Sequence, residues 1–484
     1  MTSINQQLKK AIGLSLLGRY SAYIVQLALL MLYARWFSPE EFGVLAAIQV
    51  FVVFFMMLAE IGLGPALINQ RQLSEKDRNG LFSLTWLIGI GIAIVFYIVT
   101  YGLNHFYDRD DYHLLGLPIC ISILFSAANT LPMAFLQREK CFITLARGDI
   151  LAELPALIIV WWILESGLPL YALAVRPLVV AIVKFVLNYI ACAKTEFSRP
   201  MFGSHLAAIK PLLGFSGYQF AFNFINYFSR NLDNILVGRI LGMGALGVYD
   251  KAYALMKYPL QLLTFAISPA IQPVLARHAH NLELMERTHT DFVRKISILG
   301  VLAGVLMGAS SNEIVFILLG EQWKSVGPIL QILSIIIPVQ VILSSSGGFY
   351  QALNRTDLLF KCGLFSAVTN VTAIIFGIWL GSLEKLALCL IASFHINFFQ
   401  CYWIMYGHAF NCSVRPLMIA IIPALLLSLI GYGLWRFSVY ILPSDINVWY
   451  LLVCNSGIIV FGCLLVFFIS RKVGLLWIIY HKPD

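Results

Sequence analysis

Ten ionisable side chains stand inside long apolar runs of this sequence. The bases are Arg19, Arg176, Lys184, Arg230, Lys251 and Lys257, and the acids are Glu60, Glu153, Asp233 and Asp250. A charge at the centre of a membrane helix costs about 2.5–3.5 kcal/mol on insertion scales, so such residues face water or one another. Six bases against four acids leave two positive charges in excess. Guanidinium and ammonium groups gathered in a wet cavity hold a phosphate or pyrophosphate through charge-assisted hydrogen bonds. At 1.5 Å per residue, Arg19 lies about 13 Å beyond Lys10, near the middle of a bilayer. Lys184 and Lys257 are also central in their runs. Arg176 and Lys251 lie nearer an end, from which a long side chain reaches the interface. Arg230 and Asp233 are one helical turn apart and can pair. For all of these the competing use is a structural ion pair between helices. Glu60, Glu153 and Asp233 are the candidates to carry a coupling proton or cation.

Uncharged polar residues extend the pattern. Asn223, Asn226, Arg230 and Asp233 recur at three- and four-residue steps, which makes one stripe of that helix polar. Thr369, Asn370, His395 and Asn397 add amides, a hydroxyl and an imidazole further on. Amides and aromatics suit sugar hydroxyls and rings, and they also serve as interhelical glue. Catalytic signatures are missing: there is no Walker A run, no HExxH and no GxSxG. The nine cysteines make no CxxC pair and no Cys/His ligand spacing, so neither a metal site nor a disulfide framework is indicated, and no cofactor is expected.

The elements that carry these residues follow from composition. Of 484 residues, 60% are apolar and 12% charged, with a mean hydropathy of +0.83. A soluble protein has about twice that share of charge, so soluble enzymes, nucleic-acid-binding proteins and disordered chains are excluded. Fourteen apolar stretches, from 11–34 to 447–470, are each about long enough to cross a bilayer as a helix. They are continuous rather than alternating, which argues against barrel strands. The expectation is an all-α polytopic membrane protein of about 14 transmembrane helices. With the N-terminus inside, 21 of the Lys and Arg residues fall in cytoplasmic segments and six on the opposite side. That bias obeys the positive-inside rule and explains the net charge of +9 without nucleic acid. An even number of spans places both termini in the cytoplasm. Lys9 and Lys10 precede an apolar stretch too long for a cleaved signal, so the first helix acts as its own targeting signal.

A shift of 204 residues lays 34–66 on 238–270 without a gap. It aligns Arg35 with Arg239, Gly43 with Gly247 and Pro65 with Pro269. An even shift of six helices keeps orientation, so the repeat is parallel. Two six-helix lobes, 1–200 and 201–407, and an extra helix pair at 408–484 are the predicted plan. Pro65 and Pro269 are candidate bends.

The segments ARWFSPEEFGVL, GLGPALINQ, GRILGMGALGVYDKAY, LLGEQWKSVGPILQIL and GGFYQALNRTDLLFK resemble the oligosaccharide repeat-unit flippases. These are the Wzx-type branch of the multidrug/oligosaccharidyl-lipid/polysaccharide exporter superfamily, and the chain looks most like its colanic-acid-exporter-like group over about residues 1–400. The resemblance implies two lobes around a central cavity open alternately to each side. It implies a bacterial inner-membrane location and a cargo of oligosaccharide on undecaprenyl diphosphate, moved from the cytoplasmic to the periplasmic leaflet. It also implies proton or sodium coupling, no covalent chemistry, and other polysaccharide-assembly proteins as further partners. In related lipid II flippases a cation site joins a carboxylate of the seventh span to polar groups of the eleventh. Asp233 and Asn370 resemble two of its members, while Ile374 stands where that site has an acid. The alternatives are a multidrug cation antiporter of the same superfamily, which the positive surplus opposes, and a membrane-embedded polymerase or ligase, for which no large outer loop is present.

Overall fold

The computed structural model describes residues 23–60, 74–206, 216–264, 271–272, 275–443 and 447–472. Arg19, Pro65 and Pro269 lie outside them, as does the side chain of Glu60. The described residues form helices and the turns between them, with no strand among them. Among the described residues nine helices are long and apolar enough to cross a membrane, and a tenth joins them if one bent pair counts as a single span. The chain is therefore a multi-pass membrane protein, as its composition demands. It divides into two compact units, Met1–Gly247 and Val248–Asp484.

The first unit holds α1 (Tyr23–Trp36), α2 (Pro39–Glu60), α3 (Glu75–Tyr107), α4 (Tyr112–Arg138), α5 (Phe142–Glu165), α6 (Pro169–Cys192), α7 (Ser216–Ile240) and the first turn of α8 (Met243–Thr264). The start of α2 is written in its sequence. Ser38 Oγ accepts from the Glu41 N–H at 3.3 Å, and Glu41 Oε2 accepts from the Ser38 N–H at 2.7 Å. This reciprocal box has Pro39 at the first helical position, where its missing N–H costs nothing. α4 is the centre, with α3 and α6 packed along it. In lipid there is little hydrophobic drive between helices, so close packing of small residues takes over. Ala127, Ala128 and Ala134 of α4 are wholly buried, and a Cβ on Gly89 of α3 would come within 2.9 Å of the Ala127 Cβ.

The repeat read from the sequence has a structural counterpart in this unit. A Cβ on Gly43 would fall 1.8 Å from the Met243 carbonyl oxygen, and one on Gly247 would fall 1.9 Å from that of Pro39. The shift of 204 maps Gly43 on Gly247 and Pro39 on Met243, so the contact is reciprocal. Two backbones meet here at a distance that no side chain allows.

The second unit holds the rest of α8, then α9 (Leu282–Ala309), α10 (Ser311–Leu318), α11 (Val326–Leu333), α12 (Ile336–Leu343), α13 (Ser346–Ala352), α14 (Thr356–Trp379), α15 (Leu383–Ile404), α16 (Arg415–Ile441) and α17 (Val448–Lys472). α9 packs against α12 and α16, α14 against α15, and α16 against α17. The segment of α11 to α13 is bent by 48° between Val326–Leu333 and Ile336–Ala352. Gly300 and Gly304 let α9 approach this bend closely: added Cβ atoms would lie 3.1 Å from Pro338 Cα and 3.0 Å from the Ser334 oxygen.

Candidate functional site

In the first unit the charged residues form a ladder between α5 and α6. Asp149 and Glu153 are four residues apart, so they share one face of α5. Arg176 donates to Glu153 through Nε at 3.2 Å and Nη2 at 2.9 Å, a two-pronged contact, and its guanidinium lies 4.8 Å above the Tyr33 ring of α1. Lys184 Nζ sits 2.5 Å from Asp149 Oδ1. One further step along, Asn188 donates to the Asn129 side chain of α4 at 3.0 Å. The ladder is not sealed. The side chains of Lys184 and Asp149 are 33% and 46% exposed, and that of Arg176 is 33% exposed. Charges on membrane helices face water or one another rather than lipid, and α6 is long and apolar enough to cross a membrane.

Lys184 is thus paired with Asp149. Asp149 lies at the loop edge of its apolar stretch, where hydropathy alone does not flag it. Once it is counted, the positive excess within the spans falls from two to one. Spacing held the missing signal: Asp149 and Glu153 at i and i+4 put two carboxylates on one helical stripe. Tyr33 and the Asn129–Asn188 pair carried no such mark.

The other candidates lie elsewhere. Asp233 of α7 is buried and Arg230 is exposed. The Asp233 Oδ1 accepts from the Asn234 N–H at 2.8 Å. Lys251 is buried and donates to its neighbour Asp250 at 2.9 Å. Lys257 is exposed, its ammonium 4.5 Å from the Tyr253 ring centroid, a cation–π contact. Asn370 accepts from Ser393 at 2.6 Å, and its neighbour Thr369 donates to Asn397, one turn on from Ser393, at 2.8 Å. These two bonds join α14 to α15.

Residues 32–328 match the model of a family described as polysaccharide biosynthesis proteins. The chain belongs to that family. Its relatives include the teichuronic acid biosynthesis protein TuaB of Bacillus subtilis, 22% identical over 74% of each chain. The lipopolysaccharide biosynthesis protein WzxC of Escherichia coli is 22% identical over 82% of this chain and 80% of its own. Among solved structures, the lipid II flippase MurJ in an inward closed conformation superposes with a TM-score of 0.74 at 15% identity, covering 95% of this chain and 99% of that one. The Wzx-type resemblance read from the sequence segments therefore holds, and the fold of this family member is the flippase fold.

Proposed function

We propose that this chain flips undecaprenyl-diphosphate-linked oligosaccharide repeat units from the cytoplasmic to the periplasmic leaflet of a bacterial inner membrane, with both termini in the cytoplasm. It works by alternating access and makes or breaks no covalent bond in its cargo. The half-open ladder Arg176–Glu153 and Lys184–Asp149 supports this reading best. Two partly exposed cations stand on an apolar helix, and family membership supplies the polysaccharide context.

The chemistry follows from the pairing. In the resting state each cation is held and aimed by its carboxylate. A diphosphate offers more oxygens and more charge than one carboxylate, so it competes for the fork of Arg176 and the ammonium of Lys184. Glu153 and Asp149 then lose their counterions, and Glu153 is a candidate to carry the coupling proton or cation. Arg19 adds positive charge for the same head group, and Asp233 and Glu60 are further coupling positions of this unit. The lipid tail stays in the bilayer while the sugars ride with the head group. The positive face lowers the barrier to carrying phosphate through a low-dielectric slab.

The test is export by a strain that lacks its own copy of the gene, with membrane levels measured for every variant. Arg176→Gln and Lys184→Gln abolish export at normal levels. The exchange of partners, Arg176→Glu with Glu153→Arg, restores the ion pair but presents the guanidinium from the wrong helix, so it restores stability and not export. If the exchanged protein exports normally, the ladder is structural and this mechanism is wrong.

A further inference from the structure

The end of the second unit that the basic residues assign to the cytoplasm buries a histidine that the transport reading leaves unused. His289 of α9 has no exposed surface. The rings of Phe349, Tyr402, Tyr406 and Phe410 enclose it, at centroid distances between 4.7 and 5.8 Å. Its Nδ1 lies 3.0 Å from the Tyr406 hydroxyl. That hydroxyl lies 2.7 Å from the Thr290 hydroxyl, which donates to Glu286 Oε1 at 2.8 Å.

The carboxylate fixes the direction of every bond. An ionised carboxylate only accepts, so Thr290 donates to it. The Thr290 oxygen then accepts from the Tyr406 O–H, and the Tyr406 oxygen accepts from the His289 Nδ1–H. The ring is therefore the Nδ1-protonated tautomer. Its Nε2 carries a bare lone pair, buried and without a hydrogen-bond partner. A buried unsatisfied polar atom costs about 1–3 kcal/mol, and a core filled by rings has no structural need of one.

The surroundings continue the line inward. The Tyr402 ring lies tilted beside His289 at 5.2 Å and donates its hydroxyl to the Ile342 carbonyl at 2.7 Å. Ile342 and Phe398 line a cavity of about 580 Å³ inside this unit, and so does His395. His395 Nδ1 lies 2.8 Å from the Ile391 carbonyl, which accepts only, so this ring too is protonated on Nδ1 and its Nε2 is the acceptor. At the other end, Tyr406 sits in a wide turn, Met405–Ala409, closed by an i→i+5 bond from Phe410 to Met405. Such turns are rare and recur at functional positions.

We propose that His289, Tyr406, Thr290 and Glu286 form a proton relay between the interior of the second unit and the cytoplasm. An incoming proton bonds to Nε2. The Nδ1–H bond breaks and its proton goes to the Tyr406 oxygen, the Tyr406 proton goes to Thr290, and the Thr290 proton goes to Glu286. One N–H forms and one breaks, each hydroxyl exchanges its proton, and Glu286 becomes a neutral acid that gives its proton to water. Rotation of the two hydroxyls and a tautomer shift reset the chain. The titratable groups facing the relay are Tyr402 and Tyr406 from α15 and its wide turn, Glu286 from α9, and Cys412 beyond them, near both Tyr406 and Glu286. Burial pushes the Cys412 thiol up to about 11, so it brings no charge at neutral pH.

The relay rests on the transport reading for its purpose, as the route of a coupling proton, and the two fail separately. Purified full-length protein in vesicles of bacterial polar lipid, loaded with a pH dye, receives an external acid pulse while potassium and valinomycin clamp the potential. The wild type carries protons faster than protein-free vesicles. Thr290→Val and Glu286→Gln fall to the protein-free rate, and Thr290→Ser keeps the wild-type rate because it retains the hydroxyl. Melting temperatures check the fold, and Glu286→Gln, at the half-exposed end, keeps a hydrogen-bond acceptor for Thr290 but removes the carboxylate that takes the proton, with the core untouched. A wild type no faster than empty vesicles, or a folded Thr290→Val or Glu286→Gln at the wild-type rate, overturns the relay. The same plasmids in the null strain report export independently: a wild type that exports but conducts no protons keeps the transport reading, and one that conducts but does not export keeps only the relay.

Discussion

Two sets of helix contacts in this chain, the α5–α6 seam of the first unit and the α14–α15 and α9 contacts of the second, handle polar groups in opposite ways. In the first, the ladder of α5 and α6 uses full charges, paired across helices and left partly open. In the second, α14, α15 and α9 use neutral groups tied into half-buried and buried hydrogen bonds: Thr369 with Asn397 and Ser393 with Asn370, half-buried, and Thr290 and His289 with Tyr406, buried. The contrast is one of stakes. A charge that loses its partner in low dielectric is left uncompensated, whereas a neutral amide that loses a bond finds another. Charged and open suits a surface that must release its partners to hold an anion. Neutral and closed suits helices that hold position.

The largest expected effect breaks the charged side. Glu153→Gln leaves Arg176 without its carboxylate, and loss of one member of a buried pair costs about 3–5 kcal/mol. Because this pair is partly exposed, the loss falls at about 3 kcal/mol or below, read as a lowered melting temperature in detergent. Adding Arg176→Gln to the same chain recovers most of it, since no lone charge remains. Equal melting temperatures for wild type and Glu153→Gln would erase the distinction between the units.

The second prediction concerns the backbone contact that accompanies the charges. Gly43→Ala drives a methyl into the Met243 carbonyl, and Gly247→Ala drives one into that of Pro39. Overpacking of this kind costs about 1–3 kcal/mol, and carbonyls cannot rotate away as side chains do. Gly363 of α14 in the second unit is the control, with no neighbour within 4 Å of an added Cβ. There, alanine gains about 0.5–1 kcal/mol through helix propensity. Thermal unfolding of the three single variants reads both signs.

Much of this was legible in the residues. Helices lie where continuous apolar runs lie, because a bilayer leaves the backbone no other partner. The 204-residue register brought Gly43 to Gly247. The partners were harder. Asp149 sits at the edge of its run, so hydropathy placed it with the loop, and only its spacing from Glu153 tied it to the helix. His289 was missed for a related reason. α9 begins at Leu282, about three turns before its apolar stretch, and the basic and acidic residues of those turns read as a cytoplasmic loop. A lone histidine among them carries no pattern. What buries it comes from Phe349, Tyr402, Tyr406 and Phe410, at least 60 residues away in sequence.

The smallest prediction bears on the neutral side, where the contrast is sharpest if it holds. Thr369→Val keeps the shape of the side chain and removes the donor to Asn397. Interhelical side-chain bonds of this type in membranes average about 0.6 kcal/mol, so the melting temperature shifts slightly, and export at normal membrane levels is unchanged. Asn397 already has one amide nitrogen without a partner, so its environment tolerates an unmet bond. Asn370→Ala removes the acceptor of Ser393, and Ser393 still has backbone carbonyls one turn back on its own helix within reach of its hydroxyl. The stability losses of the pair should add, because the two bonds share no atom. If Asn370→Ala instead abolishes export while stability is kept, Asn370 belongs to a coupling site rather than to the seam between α14 and α15. The second unit then carries function through its neutral groups as the first does through its charges.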